Sequence, residues 1–154
     1  LEPGSYQSDQ REFEKLIQTA SHPGLPPEEA VPLLEQATAL YRGDYLADLD
    51  YNWLLPFQER LRHLYTAAQI KLGRYYLEKN NYPQAIFHLR PLLDISDFSE
   101  EIHALLMTAY AGLGDLKAVR KQFQTMTTMF REELGLSPSP EIIDLYYQLV
   151  SKTK

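Results

Sequence analysis

The chain has no cysteine among its 154 residues, no apolar run of membrane-spanning length and no excess of positive charge. Without cysteine there is no thiolate ligand, no thiol nucleophile and no sign of an oxidising compartment. Without a spanning run or a signal-like start the chain is expected to stay in water, with the cytoplasm as the default location and no membrane partner. Low-complexity tracts are missing too, so nothing argues for disorder. Its four histidines, His22, His63, His88 and His103, stand at least fifteen residues apart, which is no metal-binding spacing. The net charge is -6, and all the excess acid lies in residues 1–65, with five Lys+Arg against eleven Asp+Glu; residues 66–154 hold ten against ten. Such a surface repels phosphate backbones, so nucleic acid is not expected as a direct partner.

What is there is a repeat. Tyr76 to Leu92 reads as two short helices that turn back on each other at Lys79-Asn80-Asn81. Thirty-four positions on, the same pattern recurs: Leu72 maps to Leu106, Tyr76 to Tyr110, Asn80 to Gly114, Tyr82 to Leu116, Ala85 to Val119, Leu89 to Phe123 and Leu92 to Met126. That period is the tetratricopeptide one. A single helical hairpin cannot bury its own apolar face, so hairpins of this kind stack. The expected fold class is all-α, with stacked antiparallel helical hairpins in a tetratricopeptide-repeat-like superhelix.

Taken in order, residues 1–8 read as a linker, 9–150 as one domain and 151–154 as a tail. Asp9 is the expected cap of a first helix carrying Phe13, Leu16, Ile17 and Ala20 on one side. His22 to Pro26 ends it, and a second helix starts near Pro27, with Glu28 and Glu29 favouring its dipole. Ala30, Leu34 and Ala37 repeat the spacing of Ala85, Leu89 and Leu92, which makes residues 9–41 a degenerate first hairpin. Pro32 implies a delayed start or a kink. A long helix follows from near Trp53, with Pro56 in its first turn and a stripe of Phe57, Leu61, Leu64, Ala68 and Leu72. Trp53 and Phe57 are expected to pack the degenerate hairpin onto the repeats. Pro83 starts the return helix, and Pro91 falls inside it and is expected to bend it. The second repeat runs from Glu100-Glu101 to Leu134, where Gly135 is the stop. A last helix from Pro140 to Val150 caps the stack with Ile142, Ile143, Tyr146 and Leu149.

Several of these segments together resemble a known family. They are Tyr41-Arg42-Gly43-Asp44-Tyr45-Leu46, then Trp53 and Glu59-Arg60-Leu61-Arg62, then Ala85, then His103-Ala104-Leu105-Leu106-Met107. The tail Arg131-Glu132-Glu133-Leu134-Gly135-Leu136-Ser137-Pro138-Ser139-Pro140-Glu141 completes the set. The chain resembles, over nearly its whole length, the bacterial transcriptional activation domain of the streptomycete antibiotic regulatory proteins and related activators. The resemblance implies a helical repeat domain that lies C-terminal to a winged-helix DNA-binding domain, no part of which is visible here. It implies protein partners: a second copy of the chain in a dimer, and the transcription machinery, with DNA reached only through the missing domain. Asn80 in place of the usual turn glycine and Pro91 inside a repeat helix are the departures from the pattern.

The first helix of each hairpin lines the inner surface of such a stack, which makes Ile70, Arg74, Leu77, Glu78, Glu101, Ala104, Thr108 and Ala111 the expected partner-binding groove. Either a partner peptide fills it or the chain's own long helix or C-terminal helix does. Arg74 is the strongest candidate, as a two-pronged clamp on a carboxylate; the alternative is a local pair with Glu78. Lys117, Arg120 and Lys121 form a basic cluster that reads as solvated helix surface. The acidic pairs Glu28-Glu29 and Glu100-Glu101 stand at expected helix starts, where the dipole accounts for them, and Gly112 and Gly114 are turn glycines with no strand before them. No catalytic residue, cofactor site or metal site is expected, and no enzymatic activity. The alternative function is a general tetratricopeptide scaffold or peptide-docking module outside transcription.

Overall fold

A computed structural model of the chain describes residues 3–41, 55–95 and 99–152, with side chains from residue 9 onward. Among the described residues there are seven α-helices and no strand, so the all-α expectation holds. They are α1 (Pro3–Ala20), α2 (Pro27–Leu40), α3 (Leu55–Glu78), α4 (Tyr82–Leu89), α5 (Glu100–Gly112), α6 (Leu116–Met129) and α7 (Pro140–Ser151). Residue contacts gather into two compact units, Leu1–Leu72 and Gly73–Lys154, and α3 runs across the boundary.

In the first unit α1 and α2 form an antiparallel hairpin. Phe13, Leu16, Ile17 and Ala20, the expected stripe of α1, are all buried, as are Ala30, Leu34 and Ala37 of α2. The helix starts at Pro3, not at the Asp9 cap, because a proline lacking its N–H fits a first helical turn without loss. Pro32 does not delay α2, which begins at Pro27 and continues through it. On α3, Leu61, Ala68 and Leu72 are buried as the stripe requires, but Tyr65 and Gln69 join them. These two are hydrogen-bonded, with Gln69 Nε2 donating to Tyr65 Oη at 3.0 Å. Tyr41 stacks on Tyr65 with centroids 4.1 Å apart and sits 5.9 Å from Phe13. Pro56 falls in the first turn of α3, where it breaks no hydrogen bond. The segment from Arg42 to Leu54, including the expected role of Trp53, lies outside the described residues, as do Ile95's successors Ser96 to Phe98.

The second unit carries the repeat, and it recurs bond by bond. Asn81 N–H donates to Tyr76 O at 2.8 Å, and Asp115 N–H to Tyr110 O at 3.0 Å. Asn80 N–H donates to Leu77 O and Gly114 N–H to Ala111 O, at 3.0 and 2.9 Å. Asn81 caps α4 through the amide of Gln84, and Asp115 caps α6 through the amide of Ala118. Each pair is separated by 34 residues. Burial follows the same register, with Ala85 and Val119, and Leu92 and Met126, all fully buried. Asn80 and Gly114 both take the left-handed conformation, at φ 58° and 76°. Asparagine is the non-glycine residue that tolerates this region best, so the departure at Asn80 leaves the turn intact.

Pro91 is not inside α4. That helix ends at Leu89, and a 3-10 turn, Arg90–Asp94, takes over with Pro91 in its first positions. A proline that would have broken an α-helical bond instead opens a new, tighter turn. After α6 a π turn, Phe130–Leu134, closes on Gly135, which supplies the expected left-handed stop at φ 65°. α7 then packs on α5 and α6. Its Ile142 is buried in a cluster with Met107, Val119, Met126 and Phe130, and Leu145, Tyr146 and Leu149 pack around it.

Candidate functional site

Of the eight residues expected to line a groove, Ile70 belongs to the first unit and is half-buried. The other seven belong to the second. Arg74, Glu78 and Glu101 are exposed, while Leu77, Ala104, Thr108 and Ala111 are half-buried.

Arg74 has a partner, and it is not Glu78. Its guanidinium forms an ion pair with Glu101, from α3 across to α5. The two side chains keep 57% and 46% of their exposure, so the pair is solvent-screened and contributes at most about 1 kcal/mol. Its consequence is placement: the cation and the carboxylate that the repeat puts on two successive first helices meet each other. Thr108 Oγ1 bonds back to Ala104 O at 2.8 Å and so faces its own helix.

The α5 half of this surface borders α7. Ala104 and Ala111 pack against the cluster that holds Ile142, and a shallow depression is lined by Glu101, Ala104, Ile142 and Leu145, with Glu100 and Ser139 at its end. The N-terminus of α7 is tied there. Ser139 N–H donates to Glu100 Oε1 at 2.7 Å and Ser139 Oγ–H donates to Oε2 at 2.6 Å, while Ser139 Oγ accepts from the Ile142 amide. Both oxygens of Glu100 therefore serve α7, besides its place in the first turn of its own helix. These are charge-assisted bonds, roughly twice as strong as neutral ones.

Two close approaches escaped the sequence reading. A Cβ on Gly73, within α3, would lie 2.5 Å from Leu89 Cγ, so this glycine lets α4 reach the α3 backbone. A glycine inside an apolar helical pattern is a weak hint of close packing, but which helix approaches it is not written in the local sequence. Gly112 ends α5, and a Cβ there would lie 2.3 Å from the Tyr82 ring. It is a contact glycine, whereas Gly114 has nothing within 4 Å and is the turn residue. His103, buried on α5, has its Nδ1 2.7 Å from Gln122 Nε2, which donates to it and joins α5 to α6.

The basic cluster on α6 stands as three exposed side chains, Lys117, Arg120 and Lys121. Among the described residues no group of three or more His, Asp and Glu is arranged to hold a metal ion. Among them also no helix is long and apolar enough to cross a membrane.

Arg74 of α3 thus meets Glu101 of α5, and the α5 side is bordered by α7, whose N-terminus Glu100 holds. A search of curated proteins finds no match, and a search of solved structures finds none. The model of the bacterial transcriptional activator domain matches residues 8–150, through both hairpin turns and into α7. On that match, which spans nearly the whole sequence and agrees with the repeat in the backbone, the chain belongs to the bacterial transcriptional activator domain family.

Proposed function

We propose that this chain is the protein-interaction and self-association module of a bacterial DNA-binding activator, built on tetratricopeptide-like hairpins and with no catalysis of its own. It acts in the cytoplasm by holding a second copy or a component of the transcription machinery close to a winged-helix domain elsewhere in the parent protein. The carrying observation is the pair of hairpin turns whose bonds recur at 34 residues within a chain matched to an activator domain. Stacked hairpins are rigid and present repeated side chains at fixed intervals, which suits them to capturing another polypeptide and not to assembling a reactive centre. The acidic balance supports the same reading, since DNA contact is left to another domain.

Light scattering of the chain over a concentration series, alone and with purified bacterial RNA polymerase, tests this. Self-association or co-elution is expected. A chain that stays monomeric and elutes apart from the polymerase overturns it. An Arg74→Glu variant then locates the surface: unchanged capture removes the Arg74–Glu101 face from consideration.

A further inference from the structure

The most exposed large apolar side chain among the described residues is Phe87, at 67% of its full exposure. It is not isolated. Pro83, Ile86, Phe87, Pro91 and Leu93 line one open depression along α4 and the 3-10 turn. Arg90 and Asp94 line the same depression, and neither forms an ion pair among the described residues. The two lie at opposite ends of the five-residue turn. At roughly 2 Å of rise per residue their backbones are about 8 Å apart along its axis, so the depression carries one charge of each sign at its two ends.

That arrangement is self-complementary. A partner surface of one sign would satisfy Arg90 or Asp94 and set a like charge against the other. A second copy related by a two-fold axis sets Arg90 against Asp94 twice and brings Phe87 of each chain onto the other's apolar floor. The two prolines give that floor a fixed backbone, so little conformational freedom is lost on contact. We propose that this patch is the dimer interface of the chain, with Phe87 as its anchor and the reciprocal Arg90–Asp94 pairs setting its register. The proposal rests on the self-association reading above and names its surface, which is separate from the Arg74–Glu101 face.

Sedimentation velocity over a concentration series tests it, with circular dichroism confirming the fold of each variant. Phe87→Ser raises the dissociation constant at least tenfold. The R90D chain and the D94R chain each self-associate weakly, because each now carries two like charges in the patch. Mixed together they form a heterodimer in which both pairs are matched, and the R90D/D94R double variant recovers self-association. A wild-type chain that stays monomeric overturns both this proposal and the self-association reading. A wild-type dimer indifferent to Phe87→Ser and to the charge reversals overturns the interface alone. Loss of self-association in the charge variants with no recovery on mixing overturns the two-fold pairing. A monomer whose patch is protected only by added polymerase assigns the surface to a foreign partner and overturns the proposal.

Discussion

An added methyl group at Gly73 would sit 2.5 Å from Leu89 Cγ, whereas one at Gly114 would touch nothing but would hold φ at 76°. The two glycines are thus required by different forces, packing at Gly73 and backbone sterics at Gly114. Gly73→Ala gains about 1 kcal/mol of helix propensity but overpacks the crossing by more, for a net loss of about 1–2 kcal/mol in urea unfolding. Gly114→Ala costs about 1–2 kcal/mol from the left-handed conformation alone. The two costs are separable by substituting Leu89→Ala in each background. That second change relieves Gly73→Ala in part and leaves the cost of Gly114→Ala unchanged. From sequence only the second glycine was assigned its reason, since a turn position is a local property. The Gly73 contact depends on where another helix passes.

At the level of elements, α7 is the clearest case of a helix held at two points. Its N-terminus is fixed by Ser139 on Glu100, and its body by Ile142 in the cluster with Met107, Val119 and Met126. Glu100→Ala removes two charge-assisted bonds and costs about 2 kcal/mol. Hydrogen exchange of the α7 amides rises first, ahead of α5 and α6, because only the end clamp is lost. Ile142→Ala leaves a cavity in the cluster and costs about 2–4 kcal/mol by thermal unfolding. The sequence assigned α7 a capping role, and its Ile142, Tyr146 and Leu149 do pack where that role needs them. It assigned Glu100 to the dipole of its own helix and missed its bonds to α7. A carboxylate at a helix start has a sufficient local explanation, and 39 intervening residues hide the other one. The same limit applies to Arg74, whose partner proved to be Glu101 and not the nearer Glu78.

For the molecule as a whole, charge sets what it touches directly. With a net charge of -6 and only three clustered cations on α6, the chain alone is expected to leave a DNA duplex unshifted in an electrophoretic assay at physiological salt. A salt-dependent shift abolished by Lys117→Glu and Lys121→Glu would show that α6 contacts phosphate and would move the cluster from solvated surface to binding site.

The amino-acid sequence by itself determined the helical class, the 34-residue register, both hairpin turns, the Gly135 stop and most buried positions. Each of these follows from the side chain's own conformational preference or from apolar spacing along one helix, and both are properties of a few neighbouring residues. Only the tertiary structure decided which glycine admits a crossing helix, which acid holds α7, and that Pro91 opens a 3-10 turn beside an exposed Phe87. Those depend on distances between segments far apart in the chain, which are set when apolar faces cover one another and are written in no local pattern.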